Sequence, residues 1–129
     1  MEHPRIYIVD DSEVIRQRLL RQLNDRIAGI SVQTAEGLDD VRASLKDFDP
    51  DVIIVDIQLK EGSGFDVLKM IRAYGLHPLV IVLSNYALPP YKEKAFELGA
   101  RHFLDKSNEF NKAVELIEGY AYPPKGDVL

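Results

Sequence analysis

The chain has 129 residues, 46% of them apolar and 29% charged, with a formal net charge of −5. That length fits one globular domain with a real core, and the acidic balance excludes the basic surface that direct nucleic-acid binding requires. There is no cysteine, so disulfides, zinc–thiolate sites and thiol catalysis are excluded.

The opening MEHPRIYIVDD turns acidic after a short apolar run and lacks the apolar core of a secretion signal. No run approaches the roughly 18 apolar residues of a membrane span. These features predict a soluble, cytoplasmic domain without membrane contacts.

In chain order, Ile6 to Val9 (IYIV) reads as a buried strand that ends on the acidic pair Asp10 and Asp11. Ile15, Leu19, Leu23 and Ile27 recur four apart and predict a first helix, with Ser12 as a good cap. Ile30 to Ala35 (ISVQTA) is a second strand. Leu38, Val41 and Leu45 mark a second helix, which FDP at residues 48–50 brings to an end. Val52 to Val55 (VIIV) is a third strand that runs into Asp56 and a glycine-containing loop. SGFD, Ser63 to Asp66, matches a capping box at the start of a third helix bearing Phe65, Leu68 and Ile71, with Gly75 beyond its end. Leu79 to Leu83 (LVIVL) is a fourth strand followed by Ser84. Ala95 and Leu98 lie on a fourth helix that Gly99 follows. Arg101 to Leu104 (RHFL) is a fifth strand, and Phe110, Val114, Ile117 and Ala121 belong to a fifth helix stopped by Pro123 and Pro124. Residues 1–122 are expected to form the domain and 123–129 a flexible tail.

Strands that are apolar throughout and separated by helices imply a parallel sheet covered on both faces. The expected fold is α/β, a doubly wound, flavodoxin-like five-stranded sheet of order 2-1-3-4-5, with a crevice where the order reverses between the first and third strands. The carboxyl edge of such a sheet would collect Asp10, Asp11, Asp56, Ser84 and Lys106. Taken singly, Asp11 and Ser12 could merely open a helix, Asp56 end a strand, Ser84 start a turn and Lys106 sit on the surface. Together they describe a site. Three carboxylates repel one another and favour a hard divalent cation, Mg²⁺ or Mn²⁺, whose oxygen shell takes carboxylates and phosphoryl oxygens. A carboxylate can attack phosphorus to form an aspartyl phosphate, with the cation and Lys106 balancing the transferring oxygens.

On the pair Asp10–Asp11, Asp56 with Gly64 eight residues on, Ser84, and FLDK with Phe103 and Lys106, the sequence resembles the receiver domain of response regulators in two-component signalling. The resemblance runs from Arg5 to about Tyr122. It implies that Asp56 accepts a phosphoryl group from the phosphohistidine of a histidine kinase or phosphotransfer protein. It further implies a cation held by Asp10, Asp11, Asp56 and the backbone carbonyl of Gln58, with Ser84 and Lys106 binding the phosphoryl group. Phe103 would be the switch aromatic, entering space that the Ser84 hydroxyl vacates, so that the face of the fourth helix, fifth strand and fifth helix changes shape for a partner. Tyr86 and Tyr91 are candidates for that face, and Ile15 and Arg18 for kinase contact. A downstream effector protein or domain and a phosphorylation-dependent dimer are the expected outputs.

Several positions depart from the family's common pattern. Ser107 stands where a proline usually follows the lysine, so a trans bond is expected there. Asn85 is bulkier than the usual small residue after Ser84, and Lys60 replaces a common proline. With Gln58, Asn85 and Lys60 are candidates for tuning phosphorylation rates. Two other readings compete. An aspartate-nucleophile phosphatase would want a second acid where Gln58 stands. A degenerate receiver acting as a non-phosphorylated interaction module is the nearer alternative, and the presence of all five site residues weighs against it. The expectation is therefore a phosphoacceptor signalling domain, not an enzyme acting on separate substrates.

Overall fold

The computed structural model describes residues 3–123. In chain order it contains β1 (Arg5–Val9), α1 (Glu13–Arg26), β2 (Ser31–Ala35), α2 (Leu38–Phe48), β3 (Val52–Val55), α3 (Gly64–Ala73), β4 (Leu79–Ser84), α4 (Pro89–Glu97), β5 (His102–Asp105) and α5 (Phe110–Ala121). The five strands form one parallel sheet of order β2-β1-β3-β4-β5, as the apolar rhythm predicts. Apart from Pro123, the expected tail lies outside the described residues. No helix of the described residues is long and apolar enough to cross a membrane.

Side chains alternate across the sheet and build two cores. Tyr7, Val9, Ile53, Val55, Val80, Val82 and Phe103 pack beneath α2, α3 and α4. Ile6, Ile8, Val52, Ile54, Ile81, Leu83 and Leu104 pack beneath α1 and α5. Every residue of β3 is buried, and each such aliphatic side chain contributes about 1.5–3 kcal/mol relative to exposure. Tyr7 is the polar exception in β1: its hydroxyl meets the Ser44 hydroxyl at 2.7 Å, and burial pushes its pKa up.

Several boundaries differ from the sequence expectation. β5 begins at His102 and runs through Asp105, because β4 extends to Ser84, which pairs with Asp105. Arg101 stands before the strand and donates its N–H to the Val80 carbonyl at 2.8 Å. Ile30 precedes β2, Ile27 caps α1 from outside, and Leu98 lies just past α4. α4 starts at Pro89, where a missing N–H costs nothing, and buries only Ala95. α2 ends on Asp49 with φ 47°, a left-handed residue that aspartate tolerates and that lets Pro50 follow.

The capping box expected at Ser63 is present. The Asp66 carboxylate accepts the Ser63 N–H at 3.0 Å, and the Asp66 N–H also reaches the Ser63 carbonyl at 3.0 Å. α3 thereby starts hard against β3. Gly64 donates its N–H to the Ile57 carbonyl at 2.7 Å, and a Cβ at Gly64 would overlap the carbonyl of Asp56. The loop between them closes through an isolated bridge from Gln58 to Ser63. Gly64→Ala should therefore destabilise the fold by about 1–3 kcal/mol, since the obstacle is backbone and cannot rotate away. Urea unfolding followed by circular dichroism measures this, and an unchanged midpoint would show that the approach is not as close as described.

Candidate functional site

Register places the acids. Val9 pairs with Val55, so Asp10 and Asp56, the next residue of each strand, emerge side by side at the carboxyl edge where the strand order reverses. The Asp56 N–H donates to the Val9 carbonyl at 3.0 Å and the Asp10 N–H to the Ala35 carbonyl at 3.1 Å, prolonging the sheet up to the acids. Asp11 follows on the loop to α1. The three residues bring carboxylate oxygens within 4.8 Å of one another.

Lys106 binds two of these acids at once. Its Nζ donates to Asp10 Oδ2 at 2.7 Å and to Asp56 Oδ2 at 2.7 Å, with all three side chains no more than 11% exposed. The second oxygen of each acid is held by the chain beyond it. Ser12 donates its N–H to Asp10 Oδ1 at 2.9 Å, and Gln58 donates its N–H to Asp56 Oδ1 at 3.2 Å. Burial pushes the Asp10 carboxyl above its ordinary range despite the opposing effect of Lys106 and the Ser12 N–H. For Lys106, burial pulls downward, but the hydrogen bonds it donates to Asp10 and Asp56 and their charges prevail and leave the ammonium above the usual lysine value.

Ser84 closes β4 fully buried. Its carbonyl accepts the Lys106 N–H at 3.0 Å, and its hydroxyl accepts the Tyr86 N–H at 3.1 Å while keeping its own proton to donate. All five residues expected at this edge therefore stand at it. Asp11, Ser12, Ile15, Asp56, Gln58, Lys60, Asn85, Tyr86 and Lys106 line one open cleft. Ser12 also caps α1 as expected, accepting the Ile15 N–H at 3.3 Å. The donor set suits a hard divalent cation: carboxylates alone, close together, one of them, Asp11, half-exposed to solvent.

The positions that depart from the family's pattern meet above the cleft. The Ser107 hydroxyl donates to Asn85 Oδ1 at 3.1 Å, tying the β5–α5 loop to the β4–α4 loop. No described peptide bond is cis. In place of proline, the Asp105 carboxylate fixes the turn by accepting the Ser107 N–H at 2.9 Å. Gln58 and Lys60 are exposed at the rim.

Phe103, the expected switch aromatic, is 7% exposed and packed in the core beneath α4, because alternation along β5 turns it to that face. Other aromatics lie at the surface nearby. Tyr86 meets Tyr91 edge-on with centroids 6.2 Å apart, Tyr91 stacks on Phe65 at 6.4 Å, and Lys94 lies over the Phe65 ring at 4.5 Å. Both tyrosines are exposed. Arg18 covers the Phe110 ring at 3.9 Å.

Sequence reasoning missed Arg16, which is buried and donates to the Asp10 carbonyl at 2.7 Å. The available signal was a basic residue one turn into a helix, where the dipole disfavours it.

The double ion pair has a measurable signature. Lys106→Met would leave two buried carboxylates without their cation and should cost about 3–5 kcal/mol of stability at neutral pH. Because the lysine pKa is raised on folding, the wild-type advantage is fully present below the unfolded value of 10.5 and is lost as pH rises through the folded value. Denaturant titrations of both proteins across that range check this; a difference independent of pH would contradict it.

Comparison with known proteins agrees with this geometry. Residues 6–118 match the family described as the response regulator receiver domain. The photosynthetic apparatus regulatory protein RegA of Rhodovulum sulfidophilum is 31% identical over 125 residues, covering 95% of this chain and 67% of that protein. The DNA-binding transcriptional regulator NtrC of Salmonella typhimurium is 32% identical over 92% of this chain but only 25% of its own length. The chain thus spans about two thirds or less of such curated relatives. Among solved structures, the chemotaxis protein CheY4 of Vibrio cholerae superposes with a TM-score of 0.79 at 27% identity, covering 90% of this chain and 97% of that one. A response regulator protein from Burkholderia pseudomallei, described with a phosphorylated aspartic acid and a calcium ion, gives 0.78 at 25% identity over 97% of this chain and 70% of its own. The chain belongs to the response-regulator receiver domains of two-component signal transduction.

Proposed function

We propose that this receiver is an active phosphoacceptor in which Asp56 takes a phosphoryl group from the phosphohistidine of a histidine kinase or phosphotransfer protein. The observation that carries the reading is the buried Lys106 ammonium, shared between Asp10 and Asp56 with Asp11 alongside. The phosphorylated aspartate in the Burkholderia relative supports it. One Asp56 oxygen forms a bond to phosphorus as the phosphorus–nitrogen bond of the donor breaks, and the electron pair of that bond returns to the donor imidazole. Asp10, Asp11, Asp56 and the Gln58 carbonyl would hold Mg²⁺ or Mn²⁺, which supplies positive charge for the transferring oxygens.

The chain's own groups do the rest. Lys106, already protonated and within 2.7 Å of Asp56, gives up one of its carboxylate bonds to pair with a phosphoryl oxygen. The Ser84 hydroxyl donates toward the same group. Because the Ser84 hydroxyl also holds the Tyr86 N–H, a movement of that hydroxyl would be felt at Tyr86 and then at Tyr91 on α4. With Phe103 inside from the start, the exposed tyrosine pair is the first element to respond, and a downstream effector protein or domain would read the α4–β5–α5 face. A population shift of 1:99 to 99:1 would require about 5.5 kcal/mol of differential stabilisation.

Intact-protein mass after incubation with acetyl phosphate tests the chemistry. The adduct should appear only with Mg²⁺ and should be absent in Asp56→Asn. A wild-type protein that gains no mass, even with a cognate kinase, would favour the degenerate interaction module. Asn85→Ala should change the lifetime of the adduct by roughly two- to tenfold, the factor worth one net hydrogen bond at the cleft rim. An unchanged lifetime would remove Asn85 from the set that tunes the rate.

A further inference from the structure

We propose that Arg16 is a positioning residue of the cation site, holding the peptide of Asp10 and thereby the direction in which the Asp10–Asp11 pair presents its carboxylates. This rests on the cation site proposed above.

Arg16 lies in the first turn of α1 and is only 8% exposed. A buried guanidinium is costly, and the positive end of a helix makes it more so. Two acceptors offset that cost. Nη1 donates to the Asp10 carbonyl at 2.7 Å, and Nη2 pairs with Glu36 Oε1 at 3.0 Å. Glu36 in turn is tied down where its N–H donates to Asp40 Oδ2 at 3.0 Å. The guanidinium therefore spans from the end of β1 to the loop after β2.

The consequence for Asp10 is that each of its polar atoms has a partner. Its N–H binds Ala35, its carbonyl Arg16, one carboxylate oxygen Ser12 and the other Lys106. Rotation of the Asp10–Asp11 peptide would break the Arg16 bond, so the direction of Asp11 from that peptide is fixed by it. The fork matters as well as the charge: the two acceptors lie on different loops and are met by two separate nitrogens of one rigid plane, where a lysine at this position would offer a single nitrogen.

The test uses the full chain, unphosphorylated, with Mn²⁺ alone as the probe and the free-ion paramagnetic resonance signal as the readout. Arg16→Lys keeps the charge and loses the fork. Its Mn²⁺ affinity should fall roughly tenfold, the lower range for removing an outer partner of a metal ligand. A merely structural role would lower the thermal midpoint and leave the affinity of the folded protein unchanged, and that result would overturn the inference. Should Arg16→Lys fail to fold, Glu36→Gln decides, since that side chain is 69% exposed. A fall of about twofold is expected there, and unaltered affinity would overturn the inference. Wild-type protein that takes up no Mn²⁺ would overturn the cation site itself, a different failure from wild-type uptake that the variants leave intact.

Discussion

Three carboxylates gathered at the edge of a buried sheet are tolerable only because one ammonium sits among them. Lys106 contacts Asp10 and Asp56 at 2.7 Å each, in surroundings where water screens little. The rest of the carboxyl edge is arranged around that contact. β4 and β5 must pair far enough for the Lys106 N–H to reach the Ser84 carbonyl, and β1 and β3 must be in register so that their acids face one cation. The site is therefore a property of sheet register, and the hydrophobic strands are what hold the register.

Charge at the edge is also balanced in layers. Lys106 stands on the cleft side of Asp10 and Arg16 behind its carbonyl, with Glu36 compensating the guanidinium from the surface. Asp11 is the acid left half-exposed at the cleft, so added positive charge at this edge meets one open carboxylate and two already paired.

Much of this was legible in the residues. Continuous apolar strands ending on Asp10, Asp56 and Ser84, with Lys106 two residues past Leu104, specify both the parallel sheet and the edge at which chemistry can occur. What escaped the sequence depends on partners distant along the chain. Arg16 reads as one more charge beside the Ile15, Leu19 and Leu23 stripe, and only the loop that brings Glu36 to it reveals a buried role. Ser107 and Asn85 were each visible as departures, yet their hydrogen bond joins positions 22 apart in sequence. β5 is displaced by one residue from its apolar run because Asp105, a poor strand former, is recruited by Ser84. α4 was faint for a related reason: with only Ala95 buried, it carries almost no periodic signal.

The contact between Gly64 and the Asp56 backbone has a mechanical consequence. Because α3 abuts the strand end with no side chain between them, Asp56 has a stiff stop on that flank, reinforced by the Gly64 bond to Ile57. The opposite flank is compliant: the 85–91 segment is mostly exposed, and α4 anchors through one alanine. The two flanks of Asp56 therefore differ in how they are filled: backbone against Gly64 on one side, and on the other the exposed 85–91 segment leading into a helix with a single buried residue.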